Sequence, residues 1–194
     1  MNIKGTNYIA PSWEKMGKLI FKLGKQIIKS GSKYDWIISI AKGGWTWSRT
    51  LADYLEMDSI ASVKAKLYQG VGKAAQTLTL EQTLPKSVNI KGKRILLFDD
   101  VADSGKTLAA VRDYLLEAGA KSVDTATLFF KPKSVLTPNF YSFKTSAWIV
   151  FPHEIREFIN LTFKKWSKND YYRLGLPKDQ VKFFVLAYSK LKKV

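Results

Sequence analysis

Short apolar runs alternate with stretches of helical periodicity over the first 152 residues, and this alternation restricts the fold more than any other feature of the sequence. The runs of strand length are Trp36–Ala41, Ser59–Leu67, Gln76–Leu84, Ile95–Phe98, Lys121–Phe130 and Ser146–Phe151. The stretches with apolar residues every three or four positions lie between Pro11 and Ser30, over Trp45–Leu55 and over Thr107–Ala118. Strands that alternate with helices predict an α/β fold, with a mostly parallel sheet flanked by helices.

The character of the sequence changes after Pro152. Between His153 and Val194 the apolar residues keep helical spacing, with one interruption at Leu174–Pro177. This pattern predicts two or three helices that form a small bundle. We therefore expect a core of residues 1–152 and a C-terminal helical extension of residues 153–194.

Composition excludes several kinds of site. The chain has no cysteine and one histidine, which excludes disulfides and metal sites built on thiolates or on several histidines. Its net charge of +16 attracts polyanions. Because the lysines are spread along the chain, they indicate a solvated basic surface, and we expect no obligate nucleic-acid partner. No segment has the pattern of a signal peptide or a membrane span, so the expectation is a cytoplasmic protein without a membrane partner.

The stretch "RILLFDDVADSGKTL" at residues 94–108 carries the strongest chemical signal. Asp99 and Asp100 follow an apolar strand, and parallel sheets bind ligands at the carboxyl ends of their strands. Their carboxylates are expected to face a ligand without being buried, and they suit vicinal hydroxyls or a metal ion. Alone, the pair would be read as a helix cap or a solvated turn.

The small residues that follow this acidic pair form a turn before a helix, whose free N–H groups and dipole favour a phosphate. Ser104 and Thr107 add hydroxyl donors. An ATP-binding Walker loop is excluded, because it would require glycine at position 100, where this chain has aspartate.

The segment "LLFDDVADSGKT" resembles the signature of the type I phosphoribosyltransferases. The resemblance implies their fold, and it implies that phosphoribosyl pyrophosphate and a purine base are the substrates. Asp99 and Asp100 would hold the ribose hydroxyls. The residues expected to bind the 5′-phosphate are Asp103, Ser104, Gly105, Lys106 and Thr107.

Two further segments extend the resemblance. Residues 39–44 resemble the pyrophosphate loop of the family, which places Ala41, Lys42, Gly43 and Gly44 at the pyrophosphate and implies a cis peptide bond between Ala41 and Lys42. Lys42 is expected to be catalytic by stabilising the charge that develops on the leaving group. Residues 68–75 resemble the flexible lid, with Tyr68 and Lys73 as its candidate residues. Without the resemblance, residues 39–44 would be read as a turn before a helix and residues 68–75 as a surface loop.

Three features resemble the purine branch of the family. Asp103 matches the aspartate that approaches purine N7 as a general acid or base. Lys131 matches the lysine that contacts the purine 6-substituent, and Trp148 and Ile149 lie in a segment that resembles the one whose aromatic residue stacks on the base. A lysine donor suits the O6 acceptor of hypoxanthine or guanine. The helical tail, however, resembles that of crenarchaeal members that act on adenine, and this favours adenine narrowly over the 6-oxopurines.

The resemblance also implies the reaction and its cofactor. Purine N9 would displace pyrophosphate from C1 of the sugar, and Mg²⁺ would be the cofactor, reached by Asp99 and Asp100 through ribose or water. The protein is expected to be a homodimer. A second alternative is a nucleic-acid-binding regulator that keeps this fold and uses phosphoribosyl pyrophosphate as an effector. His153 is expected to be a capping or packing residue outside the site.

Overall fold

The structure is a computed structural model that describes residues 1–69 and 76–191, and the side chains of residues 1–65 and 79–189. The strands are β1 (Asn2–Ile3), β2 (Thr6–Ile9), β3 (Trp36–Ile40), β4 (Ile60–Gln69), β5 (Gln76–Gln82), β6 (Arg94–Ala102), β7 (Ser122–Phe130), β8 (Phe140–Lys144) and β9 (Trp148–Ile149). The helices are α1 (Trp13–Ser30), α2 (Trp45–Tyr54), α3 (Lys106–Glu117), α4 (Ile155–Thr162), α5 (Lys168–Arg173) and α6 (Lys178–Leu191). The chain forms two compact units: unit 1 comprises Met1–Gly17 with Ser146–Val194, and unit 2 comprises Lys18–Thr145.

Unit 2 is built on a six-stranded sheet of order β5-β4-β3-β6-β7-β8. All neighbouring strands are parallel except the edge strand β5, which pairs antiparallel with β4. The central strands β3 and β6 are mostly buried, and each contains an apolar run, as a sheet covered on both faces requires. Helix α3 buries Leu108, Val111 and Leu115, which recur at helical spacing and join the same core as Ile95 and Leu97 of β6. The predicted α/β class with a mostly parallel sheet is confirmed.

The last strand of this sheet differs from the sequence-based prediction. The sixth strand is β8, which pairs with β7 from Ala126↔Phe140 to Phe130↔Lys144. The sequence pattern instead predicts a strand over residues 146–151, but only Trp148 and Ile149 are extended there, and these pair with β2 in the sheet of unit 1. The polar Ser142 in the middle of β8 weakened its apolar signal. Its hydroxyl is satisfied by donating to Leu19 O at 2.7 Å, so a polar residue is tolerated there.

Unit 1 combines the three-stranded sheet β1-β2-β9 with α4, α5 and α6. Its core is rich in aromatic rings that meet edge to face, for example Tyr8 with Trp166 at 5.0 Å and Phe158 with Trp166 at 5.2 Å between ring centroids. The predicted C-terminal helices are confirmed and number three within the described residues. The β1–β2 hairpin was not predicted, because its strands are only two and four residues long. The division into a core of residues 1–152 and an extension of residues 153–194 stays a prediction.

Among the described residues, no helix is both long enough and apolar enough to cross a membrane.

Candidate active site

The acidic pair lies inside β6 rather than after it. Pairing with β7 continues through Val101↔Phe129 and Ala102↔Phe130, so Asp99 and Asp100 precede the last two residues of the strand. Asp100 is buried, with 5% of its surface exposed, and Asp99 is partly buried. The expectation that both carboxylates avoid burial is therefore wrong for Asp100. The backbone N–H of Asp100 donates to Asp99 Oδ1 at 2.9 Å, which orients that carboxylate.

The turn between β3 and α2 lies directly against this pair. A Cβ atom on Gly43 would lie 2.5–2.6 Å from the carboxylate atoms of Asp100, so only glycine allows this approach. A Cβ on Gly44 would lie 2.8 Å from Ile40 O and 2.9 Å from Phe98 O. The peptide bond between Ala41 and Lys42 is cis, which confirms the prediction. The structure thus brings residues 41–44, the predicted pyrophosphate loop, to the acidic pair.

The turn between β6 and α3 has the form expected of a phosphate loop. Gly105 caps α3 in the left-handed region at φ +73°, and no side chain caps the helix. The first backbone N–H groups of a helix have no intrahelical partners, and its dipole favours an anion there. The N–H of Lys106 is within 3.4 Å of Ser104 Oγ, a contact that a bound phosphate could replace. Asp103, Ser104 and Lys106 are exposed, and Thr107 is partly buried.

Residues 131–136, here called the 131–136 turn, hold the predicted phosphate loop (residues 103–107) in place. The N–H of Lys131 donates to Ala102 O at 3.0 Å, and the N–H of Val135 donates to Ser104 O at 2.9 Å. These two bonds bracket Asp103 on the neighbouring segment. The turn also approaches Gly105 so closely that a Cβ there would overlap Ser134 Oγ and lie 3.0 Å from Leu136 N. A side chain at position 105 would therefore push the two segments apart.

Asp103 forms ion pairs with two lysines of the 131–136 turn. Its Oδ1 lies 3.4 Å from Lys131 Nζ and 2.9 Å from Lys133 Nζ. Partial burial alone would raise the pKa of Asp103, but hydrogen bonds and charges from Lys133 and Lys131 outweigh it and lower the pKa below its ordinary value. Asp103 is therefore a carboxylate at neutral pH, which suits a proton acceptor. Of the two roles predicted for it, general base fits this state better than general acid.

Lys133 also belongs to this cluster, although it is not among the site residues predicted from the sequence. The signal for it was the sequence Lys131-Pro132-Lys133, because a proline turn can place the two flanking lysines on one side. The two lysines differ in environment: 8% of the Lys131 side chain is exposed, against 66% of Lys133. A buried lysine at this position is consistent with the predicted contact to a ligand.

The predicted base and lid residues are placed differently. Trp148 and Ile149 belong to β9 of unit 1, where Trp148 is half exposed and Ile149 is buried. Lys73 lies outside the described residues, and of Tyr68 only the backbone, in β4, is described. The base-stacking and lid roles stay predictions.

His153 packs among aromatic rings in unit 1. Its ring stacks on Phe151 at 5.1 Å and contacts the Trp13 ring at 6.4 Å between centroids. This agrees with the expectation of a packing residue.

Comparison with known proteins identifies the family. Residues 12–156 match the family described as the phosphoribosyl transferase domain. The chain is a member of this family. The matched segment contains the turn after β3, the acidic pair, the phosphate loop and the 131–136 turn, so every part of the candidate site in unit 2 lies within it.

Several members of the family are similar to this phosphoribosyltransferase. The xanthine-guanine phosphoribosyltransferase of Nitratidesulfovibrio vulgaris is 28% identical over 143 residues, which cover 73% of this chain and 81% of that protein. The hypoxanthine-guanine phosphoribosyltransferase of Streptococcus pneumoniae is 31% identical over 117 residues, 58% of this chain and 62% of that protein. The crystal structure of the purine phosphoribosyltransferase from Pyrococcus horikoshii is 30% identical, with a TM-score of 0.66 over 76% of this chain and 93% of that one.

Proposed function

We propose that this phosphoribosyltransferase transfers the 5-phosphoribosyl group of phosphoribosyl pyrophosphate to N9 of a 6-oxopurine: hypoxanthine, guanine or xanthine. The observation that carries the proposal is the buried Lys131 Nζ, 3.4 Å from the Asp103 carboxylate, beside the phosphate loop. A 6-oxopurine with its proton on N7 presents an acceptor at O6 and a donor at the adjacent N7. A lysine donor next to a carboxylate acceptor matches that edge.

The same pair argues against the adenine preference expected from the helical tail. Adenine presents an amino group at its 6-position, and a protonated lysine has no acceptor to offer it. The curated relatives also carry xanthine-guanine and hypoxanthine-guanine activities in their names. Both considerations favour a 6-oxopurine.

The sugar phosphate would bind along the carboxyl end of the sheet in unit 2. Asp99 and Asp100 would accept hydrogen bonds from the ribose hydroxyls, and the phosphate loop would donate N–H groups to the 5′-phosphate. The pyrophosphate would lie at residues 41–44, where Lys42 supplies positive charge at the leaving group. The short approach between Gly43 and Asp100 would keep the ribose and pyrophosphate sites adjacent.

The chemistry is a displacement at C1 of the sugar. The lone pair of purine N9 forms the new bond to C1, and the bond from C1 to the pyrophosphate oxygen breaks with its electron pair on that oxygen. The proton of the base, carried at N7, passes to the Asp103 carboxylate. Asp103 is a carboxylate at neutral pH, as is any aspartate whose pKa is at or below its ordinary value, so it can accept this proton.

The residues present fit a magnesium ion in this reaction. Asp99 and Asp100 offer carboxylate oxygens, the ligand type that Mg²⁺ prefers, and they would reach the ion through ribose oxygens or water. When bound, the ion would neutralise charge on the pyrophosphate.

The test is pyrophosphate release from phosphoribosyl pyrophosphate and Mg²⁺, measured separately with hypoxanthine, guanine, xanthine, adenine and uracil. We expect release with one or more of the 6-oxopurines and little with adenine. Release with adenine alone would overturn the proposal and restore the preference expected from the tail. No release with any base, together with salt-dependent nucleic-acid binding, would favour the regulator alternative.

A second measurement tests the role of Asp103. Asp103→Asn keeps the size of the side chain but removes the proton acceptor, so kcat should fall by about 10²–10⁴-fold while phosphoribosyl pyrophosphate still binds. Unchanged turnover would remove Asp103 from the mechanism.

A further inference from the structure

Two lysines share one carboxylate in this site, and only one of them has a predicted contact with the substrate. Lys133 Nζ is closer to Asp103 Oδ1 than Lys131 Nζ is, at 2.9 Å against 3.4 Å. Of the charged groups in the described residues, Lys133 and Lys131 are the ones that lower the pKa of Asp103. The second lysine therefore requires an explanation of its own.

The backbone fixes Lys133 relative to Asp103. The N–H of Ser134 donates to Lys131 O at 2.9 Å, which closes a four-residue turn with Pro132 and Lys133 at its centre. Proline at the second position of such a turn presets the backbone. Bonds from this segment to Ala102 O and Ser104 O then hold the turn on either side of Asp103. The approach of Lys133 to the carboxylate follows from the local chain path and does not depend on the side chain of Lys131.

We propose that Lys133 is a positioning residue that holds the Asp103 carboxylate in place while Lys131 turns to the 6-substituent of the purine. The proposal rests on the proposed function. If Lys131 donates to the base, its ion pair with Asp103 is weakened when substrate binds. Lys133 keeps an ion pair on Asp103 at that moment, so the carboxylate stays oriented towards N7. Because most of its side chain is exposed, Lys133 can adjust to the base without a large rearrangement.

Removing Lys133 should have a selective effect on binding of the base. In Lys133→Met, Lys131 is the one ion-pair partner of Asp103 left among the described residues, and binding of the base must break that pair. The KM for the purine should therefore rise by about fivefold, the size expected for a partly exposed ion pair, while the KM for phosphoribosyl pyrophosphate stays unchanged. Lys133→Arg keeps the charge and should restore the purine KM.

The experiment compares Lys133→Met and Lys133→Arg with Lys121→Met as a matched control. Lys121 is an exposed lysine just before the other end of β7, so its variant loses the same charge away from the site. The Asp103 carboxyl is titrated by carbon NMR in the free proteins, with Asp103→Asn to assign its signal. We expect the pKa of Asp103 to rise in Lys133→Met and to stay at the wild-type value in the other two lysine variants.

The two readouts separate failure of this proposal from failure of the proposed function. An unchanged pKa of Asp103 in Lys133→Met would contradict the ion pair between Lys133 and Asp103. A shifted titration with equal changes in both KM values would overturn the positioning role. Failure of the wild-type protein to turn over any purine would overturn the proposed function and, with it, that role, while the substrate-free titration would still measure the ion pair.

Discussion

The turns that follow β3 and β6 both contain a glycine that leaves no space for a methyl group, but the atoms that fill the space differ. At Gly43 the neighbour is the carboxylate of Asp100, the end of a side chain. At Gly105 the neighbours are Ser134 Oγ and the backbone of the 131–136 turn, and the backbone itself is left-handed at φ +73°. At Gly44, beside Gly43, the nearest neighbours are backbone atoms: the carbonyl oxygens of Ile40 and Phe98 and the Ile40 nitrogen.

This difference separates two reasons for glycine in one site. Where the neighbour is backbone, a side chain disturbs the path of the chain, and stability should fall. Where the neighbour is a side chain that is predicted to bind substrate, the chain can keep its path and the side chain moves instead. The substitutions below test this distinction, in order of their expected effect on the free energy of unfolding.

Gly105→Ala should have the largest effect. Alanine at a left-handed position and a Cβ overlapping Ser134 Oγ each cost about 1–3 kcal/mol. We expect the free energy of unfolding to fall by about 2–6 kcal/mol and phosphate binding to be lost. Denaturant unfolding and titration with phosphoribosyl pyrophosphate measure the two effects.

The double variant Gly105→Ala, Ser134→Ala is the control for this substitution. Removing Ser134 Oγ relieves the overlap but leaves the positive φ and the Leu136 N at 3.0 Å. We expect recovery of part of the lost stability. Complete recovery would mean that the side-chain overlap is the whole effect and that the backbone at Gly105 is not constrained.

Gly44→Ala should come second. Its Cβ would approach Ile40 O and Phe98 O on the two central strands, and neither carbonyl can move without disturbing the sheet. Overpacking of this kind costs about 1–3 kcal/mol, measured by denaturant unfolding. Gly17→Ala is the control, since Gly17 lies in α1 with no atom within 4 Å of the added Cβ, and it should be neutral or stabilising by about 0.5–1 kcal/mol. Equal losses in both variants would contradict the role of close packing at Gly44.

Gly43→Ala should lower activity more than it lowers stability. The carboxyl end of Asp100 can turn away from the added methyl group, so the free energy of unfolding should fall by only about 1 kcal/mol. Moving the Asp100 carboxylate away from the ribose hydroxyls, even by less than the length of the side chain, should lower kcat/KM by about 10²-fold. A loss of activity no greater than that of Gly44→Ala would contradict a substrate-binding role for Asp100.

The turns after β3 and β6 are well predicted from the sequence, because their glycines and aspartates follow strongly apolar runs. The run Ile95–Phe98 marks β6, and Asp99 to Thr107 follow it in a recognisable order. Strand pairing beyond the apolar run could not be predicted: β6 continues to pair with β7 past Asp100, which is buried inside the strand. The contact of Ser134 with Gly105 and the ion pair of Lys133 with Asp103 depend on how closely the 131–136 turn approaches the turn after β6. The local sequence pattern does not predict this distance between the two turns.

The turn after β6 differs from the turn after β3 in one more respect, because its carboxylate has a shifted pKa. Lys133 and Lys131 lower the pKa of Asp103 below its ordinary value of 3.8, so the folded state binds a proton there less readily than the unfolded state. The resulting stabilisation is present above the unfolded pKa and is lost as the pH falls through the folded pKa.

In Asp103→Asn this contribution is absent, so the wild-type protein should exceed the variant in stability at pH 7, and the difference should shrink below about pH 4. Asp53→Asn, which breaks an exposed pair with Arg49, is the control and should change stability by less than about 0.5 kcal/mol at any pH. Urea unfolding of the three proteins across this range measures the effect, and a stability difference for Asp103→Asn that is the same at pH 3 and pH 7 would mean that the two lysines do not act on this carboxylate.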